Sequence, residues 1–409
     1  MKILLAGQAF YRKDNGQATF TVSLAEGLAR SGHQVAVLAP KVFGPGTIRK
    51  NGLDVHRVTA LNLGHNANVS AFSGRRIEKV LETLQPDLVH IQDHYFISRS
   101  VWRKARRRNI PVVGTNHFLP DNLTDNVHLA GFLRPMVQRL LWRNMLGLFN
   151  RLDGVAAPTP TAALILEQAG CRVPVEAISN GVDIQHFQPR PAADRRHLRW
   201  RYGIDPSRSV FLYVGRVDRE KGLDVLLKAA IHLADQPLQI VICGKGRFLS
   251  ALKHMRKDLG LKKRVILTGY VPDDDLPLLY NSADVFVMPG AAELQSIATL
   301  EAMASGRPVL AADACALPEL VRPGVNGLLF QPGSSTGAER CIRDMLSLAP
   351  NWPAMGRASR RRAEQHALGE TLRRYTTWYE KIIRQHRAKG KSDAARSGLR
   401  DGACGIPKF

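Results

Sequence analysis

The 409-residue sequence has few cysteines, and they form no pattern that indicates a disulfide framework or a metal site. The five cysteines lie at positions 171, 243, 315, 341 and 404, without CxxC spacing and without a Cys/His cluster. Secreted disulfide scaffolds and zinc modules depend on such spacings, so the sequence argues against both classes. A reducing, cytoplasmic compartment is expected.

The sequence also lacks a long apolar run. No stretch reaches the roughly 20 apolar residues that a membrane-spanning helix needs. The amino-terminal MKILLAGQAF is short and runs into the polar YRKDNGQ, which predicts a buried first strand rather than a signal peptide. We therefore expect a protein that is soluble or lies on a surface.

Acidic residues are scarce: 35 Asp and Glu face 58 Lys and Arg, giving a formal net charge of +23. A chain this basic is attracted to polyanions such as nucleic acid, an anionic membrane or phosphorylated substrates. The basic clusters at 103–108 and 360–362 are also consistent with solvated helix faces. No zinc-finger spacing, aromatic-rich basic sheet or helix-turn-helix accompanies them, so nucleic acid is not an expected partner.

The sequence is rich in short apolar segments that alternate with amphipathic helices. One series begins with KILLAG at 2–7 and HQVAVLAP at 33–40, and a second begins with VFLYVG at 210–215 and LQIVICG at 238–244. Apolar strands interrupted by helices predict parallel sheets with both faces covered. A composition shift after Pro189 separates the series. We predict two doubly wound α/β domains, 1–188 and 189–368, and a disordered basic tail at 386–409.

The segment GRVDREKG at 215–222 follows directly after an apolar strand. Arg216 and Lys221 are thereby placed beside exposed backbone N–H groups and the amino end of a helix that begins near Gly222. The helix dipole, the amides and two fixed cations together suit a diphosphate. The alternative interpretation is a solvated charged turn.

A second constellation is AELQSIATLEAMASGRPVLA at 292–311, which places Glu293 and Glu301 with seven residues between them. Glu293 would lie in a loop after a strand, and Glu301 about two turns into the following helix. Carboxylates in these positions accept hydrogen bonds from vicinal hydroxyls of a sugar and of a ribose. The presence of both motifs favours a ligand site over a solvated turn.

These motifs, with PDLVHIQDH at 86–94 and ISNGVDIQHFQP at 178–189, resemble those of the retaining glycosyltransferases with the GT-B fold. These are the group 1, family 4 enzymes that use nucleotide-diphosphate sugars, and the resemblance covers nearly the whole chain. It implies two Rossmann-like domains that face a central cleft, with helix 369–385 crossing back to complete the first domain. It also implies that neither a cofactor nor a metal is needed.

The resemblance assigns roles to individual residues. Arg216 and Lys221 would hold the donor diphosphate, Glu301 the ribose, and Glu293 the transferred sugar. His117 would line the sugar pocket, although it also fits a histidine satisfied within a strand end. Further donor contacts are implied for Gly16, Gly215, Tyr270, Val271, Leu294, Gln295, Ser296, Ile297 and Ala298.

The sequence departs from the family pattern at three places. Asn15 precedes Gly16 where two adjacent glycines are common, which bears on close backbone approach. Leu294, Gln295 and Ser296 replace Gly-Phe-Gly and predict a more polar sugar pocket. The loop CGKGR at 243–247 lacks the usual proline or acidic residue. The identity of the donor therefore does not transfer, and a UDP-sugar is placed ahead of GDP-mannose only as an expectation.

The expected activity is transfer of a hexose with retention of configuration, with the acceptor hydroxyl attacking from the face that the diphosphate leaves. Arg216 and Lys221 would offset the charge that develops on the leaving phosphate. The alternative of another class is a non-catalytic protein whose basic surface binds nucleic acid or an anionic membrane.

The segment 131–152 predicts a basic amphipathic helix that either packs on the first sheet or lies on an anionic membrane. The neighbouring DNLTDNVH at 121–128 could border an acceptor channel. With the net charge, this favours a membrane-lipid acceptor and a peripheral position on the inner face of the cell membrane. A soluble sugar or a secondary metabolite stays open as the acceptor.

Overall fold

The structure is a computed structural model that describes residues 1–10, 16–41, 46–50, 52–59, 61–62, 68–69, 74–120, 132–191 and 198–401. Two separate mainly parallel sheets lie in successive parts of the chain, as the alternating pattern predicted. The segment 121–128, Asn15 and residues 402–409, to which the sequence assigned roles, lie outside the described residues.

The first sheet has eight strands in the order β10-β9-β8-β7-β1-β2-β4-β3, and its pairings are parallel except that of β3 with β4. Strands β7, β8 and β9 are buried at every position because helices cover both faces. A short hairpin, β5 with β6, stands apart from this sheet. The strands are β1 (Lys2–Ala6), β2 (Gln34–Lys41), β3 (Thr47–Lys50), β4 (Leu53–Thr59), β5 (Leu61–Asn62), β6 (Asn68–Val69), β7 (Leu88–Ile91), β8 (Val112–Thr115), β9 (Gly154–Ala157) and β10 (Val175–Ala177).

The second sheet has six parallel strands in the order β13-β12-β11-β14-β15-β16. The order reverses between β11 and β14, which makes this the switch point where open α/β sheets bind ligands. The strands are β11 (Ser209–Val214), β12 (Leu238–Cys243), β13 (Val265–Gly269), β14 (Val285–Met288), β15 (Val309–Ala312) and β16 (Gly327–Phe330).

Helices cover both sheets and bury one apolar side each against the strands. Short 3₁₀ turns lie at Arg219–Lys221, Asp273–Asp275 and Ala349–Asn351. The α-helices are α1 (Gly16–Arg30), α2 (Gly74–Leu84), α3 (Phe96–Arg107), α4 (Arg134–Phe149), α5 (Pro160–Gln168), α6 (Leu223–Ile231), α7 (Leu249–Asp258), α8 (Leu276–Ser282), α9 (Ile297–Ala304), α10 (Leu317–Leu320), α11 (Ser335–Ser347), α12 (Trp352–Glu364) and α13 (Leu368–Asp401).

The last helix, α13, returns to the first domain, as the resemblance implied. Tyr375, Trp378 and Tyr379 join the buried cluster formed with β1 and α1. Tyr379 Oη lies 2.7 Å from Nδ1 of the buried His90 on β7, whose Nε2 lies 2.7 Å from a threonine hydroxyl of β8. These contacts attach the carboxyl-terminal helix to the strands that end at the cleft.

Helix α13 is longer than the sequence predicted. It continues to Asp401, so the predicted helix end at 385 is wrong and part of the expected disordered tail is helical. Lys, Arg and Ala favour the helix in this extension, while its two glycines, Gly390 and Gly398, each cost about 1 kcal/mol. Within the described ranges, no helix is both long enough and apolar enough to cross a bilayer.

Candidate active site

Two helix amino ends meet between the domains. Helix α1 begins at Gly16, and a Cβ placed there would lie 3.8 Å from Cδ1 of Ile297, the first residue of α9. Ile297 packs against the buried cluster that contains Phe20 of α1. The positive ends of two helix dipoles therefore lie close together, which favours an anion there.

The loop at 215–222 is held close to its neighbours by glycines. A Cβ at Gly244 would lie 1.8 Å from the carbonyl oxygen of Gly215, so only glycine fits there. Gly222 has φ +62° and would place a Cβ 3.0 Å from the carbonyl oxygen of Pro289. The strand-end loops of β11, β12 and β14 thus pack backbone against backbone, which fixes the predicted cations at the switch point.

Both predicted cations are paired with carboxylates. Arg216 donates to Asp218 at 2.5 Å and to Glu220 at 2.7 Å, and its side chain is 39% exposed. Lys221 Nζ lies 2.6 Å from Glu293 Oε1, with the two side chains 14% and 12% exposed. Sequence reasoning placed Lys221 and Glu293 in one cleft and assigned them different ligands, but it missed their pairing. An anionic ligand must exchange partners with these carboxylates.

Glu301 also has a partner that the sequence analysis missed. Tyr280 of α8 donates its hydroxyl to Glu301 Oε2 at 2.7 Å, and its ring is fully buried. Burial and the neighbouring carboxylate raise the pKa of Tyr280, which keeps it a hydrogen-bond donor. The tyrosine holds one carboxylate oxygen in place, and the ribose-binding role of Glu301 stays a prediction.

The segment at 294–296 uses its side chains for structure rather than for a more polar pocket. Leu294 is buried in a small cluster with first-domain residues, and its carbonyl accepts from Thr159 Oγ1 at 3.0 Å. Gln295 Oε1 accepts from the backbone N–H of Asn180 at 2.7 Å. Ser296 caps α9 by accepting from the backbone N–H of Thr299 at 3.2 Å. These contacts tie the loop at 294–296 to Thr159 of the first domain and to the segment at Asn180, and the donor contacts expected of this loop stay a prediction.

The residues expected near the base differ in accessibility. Tyr270 is 57% exposed, and the Lys245 ammonium lies 5.0 Å from the centre of its ring. Val271 is 3% exposed and belongs to the core of the second domain, so its side chain cannot meet a ligand. Ala298 packs partly against the same core. Of the two residues expected near the base, only Tyr270 therefore presents an accessible side chain.

His117 lies at the carboxyl end of β8 on the first-domain side. Its Nε2 is 3.2 Å from Gln92 Oε1, and its ring centre is 4.9 Å from that of Phe20. The imidazole keeps partial solvent exposure, but burial lowers its pKa below the ordinary value, so it is neutral near pH 7. Gln92, buried in the QDH segment, was not singled out by the sequence analysis as a partner of His117.

The neighbouring Asp93 is structural. Its carboxylate accepts from the Gln8 N–H at 2.6 Å, the Tyr95 N–H at 3.0 Å and the Ser98 hydroxyl at 2.7 Å. These bonds shape the loop after β7 and fix its approach to the loop after β1.

Among the described residues, no group of three or more His, Cys, Asp or Glu side chains is arranged to hold a metal ion.

Helix α4, predicted within 131–152, divides into two halves. Met145, Leu148 and Phe149 are buried in the first domain, as the packing interpretation expected. Phe132, just before the helix, Met136 and Leu140 are instead 81%, 63% and 64% exposed, and the exposed Arg139 and Arg143 lie on the same side of the helix as Met136 and Leu140. We call the apolar trio and its arginines the α4 outer face.

Known proteins resemble this chain along most of its length. Glycosyltransferase Family 4 matches residues 14–186, and Glycosyl transferases group 1 matches residues 194–362. The GDP-mannose-dependent alpha-mannosyltransferase of Mycolicibacterium smegmatis is 31% identical over 339 residues, covering 81% of this chain and 84% of that protein. The alpha-monoglucosyldiacylglycerol synthase of Streptococcus pneumoniae is 27% identical over 346 residues, covering 81% and 75%.

A solved structure shares the two-domain fold. HepE of Anabaena, in complex with UDP-glucose, superposes with a TM-score of 0.76 at 22% identity and covers 93% of this chain and 100% of that one. The predicted GT-B architecture is confirmed. The chain belongs to the group 1 glycosyltransferases.

Proposed function

We propose that this glycosyltransferase moves a hexose, with retention of configuration and without a metal, from a nucleotide-diphosphate sugar to a hydroxyl of a membrane lipid. The observation that carries the donor half is the pair of helix amino ends with Arg216 and Lys221 at the switch point of the second sheet. A diphosphate would accept from backbone N–H groups and draw both cations from their carboxylate partners.

Charge compensation on the leaving group is the proposed chemical role of this site. As the sugar–oxygen bond breaks, negative charge grows on the diphosphate, and Arg216 and Lys221 would stabilise it. A phosphate oxygen then takes the proton of the attacking acceptor hydroxyl on the same face. His117, kept neutral by burial, contributes hydrogen bonding to the sugar rather than charge.

A UDP-sugar is the proposed donor, with GDP-mannose next. The UDP-glucose complex of HepE supports a uracil base. The name of the GDP-mannose-dependent mannosyltransferase of Mycolicibacterium smegmatis supports a guanine base. The partly exposed Tyr270 offers a stacking surface that either base can use. Base selection is therefore left to hydrogen bonds from the backbone near Val271.

The lipid half of the proposal rests on the α4 outer face. Three exposed apolar side chains with Arg139 and Arg143 beside them suit an interface that is both apolar and anionic. The name of the pneumococcal relative, a glucosyldiacylglycerol synthase, supports a lipid acceptor. We propose that the enzyme docks on the membrane through this face.

Calorimetric titration with UDP, GDP, ADP and their common sugar conjugates tests the donor half. One nucleotide should bind selectively, and Lys221→Ala should weaken it by at least about tenfold. Lys228→Ala is the matched control, because Lys228 makes an exposed pair with Asp224 on α6. No binding to any nucleotide, or equal loss in both variants, would contradict the donor assignment.

Vesicle flotation tests the lipid half separately. The protein should float with vesicles that contain phosphatidylglycerol and less with pure phosphatidylcholine. Met136→Gln with Leu140→Gln should reduce flotation, whereas Leu259→Gln, at a 37% exposed leucine on the second domain, should not. Flotation that is absent, or that is unchanged in the double variant, would remove the support for a membrane-lipid acceptor.

A further inference from the structure

Polar side chains pair across the carboxyl ends of β7 and β8 on one face of the first sheet. His90 and Gln92 are two residues apart at the end of β7, and Thr115 and His117 are two residues apart at the end of β8, a spacing that puts each couple on a common face. His90 Nε2 lies 2.7 Å from Thr115 Oγ1, and His117 Nε2 lies 3.2 Å from Gln92 Oε1. The second pair lies past the strand ends, on the cleft side.

Gln92 is held in place on two sides. It is 1% exposed, its backbone N–H donates to the Ala6 carbonyl at 2.8 Å, and its carbonyl accepts from Gln17 Nε2 at 2.7 Å. A Cβ at Gly7 would lie 2.9 Å from the Cβ of Gln92, so the chain after β1 can pass this close only with a glycine there. Gln92 is thus fixed between the end of β1 and the amino end of α1.

The amide oxygen of Gln92 has His117 as its partner. The Thr21 hydroxyl lies 3.5 Å from the same oxygen, but it donates to the Gln17 carbonyl at 2.8 Å. The amide nitrogen Nε2 is buried, and no atom of the described residues accepts a hydrogen bond from it. An unpaired buried amide destabilises the fold, and an apolar side chain of the same length would avoid that cost. The hydrogen bond to His117 is what an apolar residue could not supply.

This hydrogen bond determines which nitrogen of His117 carries the ring proton. Burial lowers the pKa of His117 to about 3, so the imidazole is neutral near pH 7 and has a single N–H. An amide oxygen only accepts, so the nitrogen that faces it, Nε2, carries that proton. Nδ1 then has a free lone pair, and it has no hydrogen-bond partner in the part of the chain that the structure describes.

The ring of His117 is also held across its face. Its centre lies 4.9 Å from that of Phe20 on α1, with 53° between the ring planes. Ile297, the first residue of α9, packs against the same buried cluster as Phe20. His117 therefore lies where the amino ends of α1 and α9 meet, which is where the donor diphosphate is proposed to bind.

We infer that Gln92 is a positioning residue, which keeps the His117 proton on Nε2 so that Nδ1 accepts a hydrogen bond from a hydroxyl of the transferred hexose. Gln92 acts through His117 and not by contact with the donor. The opposite tautomer would present an N–H to the hexose, and a hydroxyl whose proton points at it would lose its acceptor. This inference rests on the proposed function and adds to it a residue that orients the sugar pocket.

The tautomer can be read from the imidazole ¹⁵N and ¹H chemical shifts of the full-length protein labelled with ¹⁵N-histidine, with His117→Asn to identify the resonances. Wild type should carry the His117 proton on Nε2. Gln92→Met has similar length but no acceptor, so the proton should move to Nδ1, because the ring keeps partial solvent exposure and water can accept there. Gln239→Met is the matched control: Gln239 is a buried glutamine of β12 that accepts from the Asp205 N–H and donates to the Lys263 carbonyl, both at 2.8 Å. It should leave the His117 resonances unchanged.

Calorimetric titration with UDP-glucose and with UDP separates positioning from folding. Gln92→Met should bind UDP-glucose about fivefold more weakly than wild type, the loss of one hydrogen bond, and should bind UDP equally well. A wild-type proton on Nδ1, a tautomer unchanged in Gln92→Met, or equal affinity changes for both ligands would overturn the inference. If wild type bound neither ligand, the UDP-sugar assignment would fail. The wild-type tautomer spectrum needs neither a nucleotide nor a folded Gln92→Met variant, so it decides the inference separately.

Discussion

Replacement of Glu293 by glutamine should raise the affinity of the enzyme for UDP, although the same residue is proposed to hold the transferred sugar. Lys221 Nζ lies 2.6 Å from Glu293 Oε1 in a pair that is largely shielded from solvent. UDP must take Lys221 from this carboxylate and then sit beside its unpaired charge. A hydrogen bond to a charged group contributes about 1.5–3 kcal/mol, so even the lower value corresponds to binding about tenfold tighter in Glu293→Gln.

The assay is calorimetric titration of UDP and of the matching nucleotide sugar. We expect Glu293→Gln to bind UDP more tightly, Lys221→Met to bind it at least about tenfold more weakly, and the double variant to resemble Lys221→Met. Glu339→Gln, which removes a partly exposed ion pair with Arg343, is the control. Weaker UDP binding in Glu293→Gln would refute the idea that the carboxylate and the diphosphate compete for Lys221.

Three further outcomes are expected. Tyr280→Phe removes the donor to Glu301, so UDP affinity should fall about threefold in titration while inorganic pyrophosphate binds unchanged. Gln295→Leu should raise the KM for the donor, since it leaves the Asn180 N–H buried and unpaired; an unchanged KM would count against a role in positioning the loop. Burial lowers the pKa of His90 to about 3 from 6.5, so its stabilising contribution is complete above pH 6.5 and is lost at about 1.4 kcal/mol per pH unit as the pH falls toward 3. In His90→Gln, the free energy of unfolding measured in urea should fall less steeply than in wild type as the pH is lowered from 6.5 toward 3.

The strand-end loops were predictable because their positions follow from topology. Once strands alternate with helices, the carboxyl ends of parallel strands lie at one edge, and GRVDREKG must lie there with the loop that contains Glu293. The structure places both loops together as expected. Gly16 and Ile297 were likewise predicted near one ligand, and they face each other across the cleft.

The partners of these residues were not predictable, because they depend on how helices are placed in space. Tyr280 is 21 residues from Glu301 and reaches it only through the packing of α8 on α9. Gln92 and His117 meet because β7 and β8 are neighbours. Sequence periodicity indicates that a side chain is buried, but it does not indicate which polar group lies opposite it.

The choice between packing and membrane binding for 131–152 also needed three dimensions. A helical wheel shows an apolar stripe but not where the domain beneath the helix ends. Met145 and Phe149 pack in a core cluster of the first domain and are buried, whereas Met136 is exposed. The same apolar pattern therefore serves the core at one end and a surface at the other.

The pairing of Lys221 with Glu293 bears on selectivity. Free UDP would draw Lys221 from Glu293 and leave that carboxylate without a donor, whereas a sugar hydroxyl on the same nucleotide would replace the lost hydrogen bond. The intact nucleotide sugar then gives a hydrogen-bond partner to both Lys221 and Glu293, whereas free UDP gives one to Lys221 only. A basic chain with a net charge of +23 could otherwise bind any polyanion. In this scheme Glu293 makes the site prefer the conjugate over its own product, which also favours release of UDP after transfer.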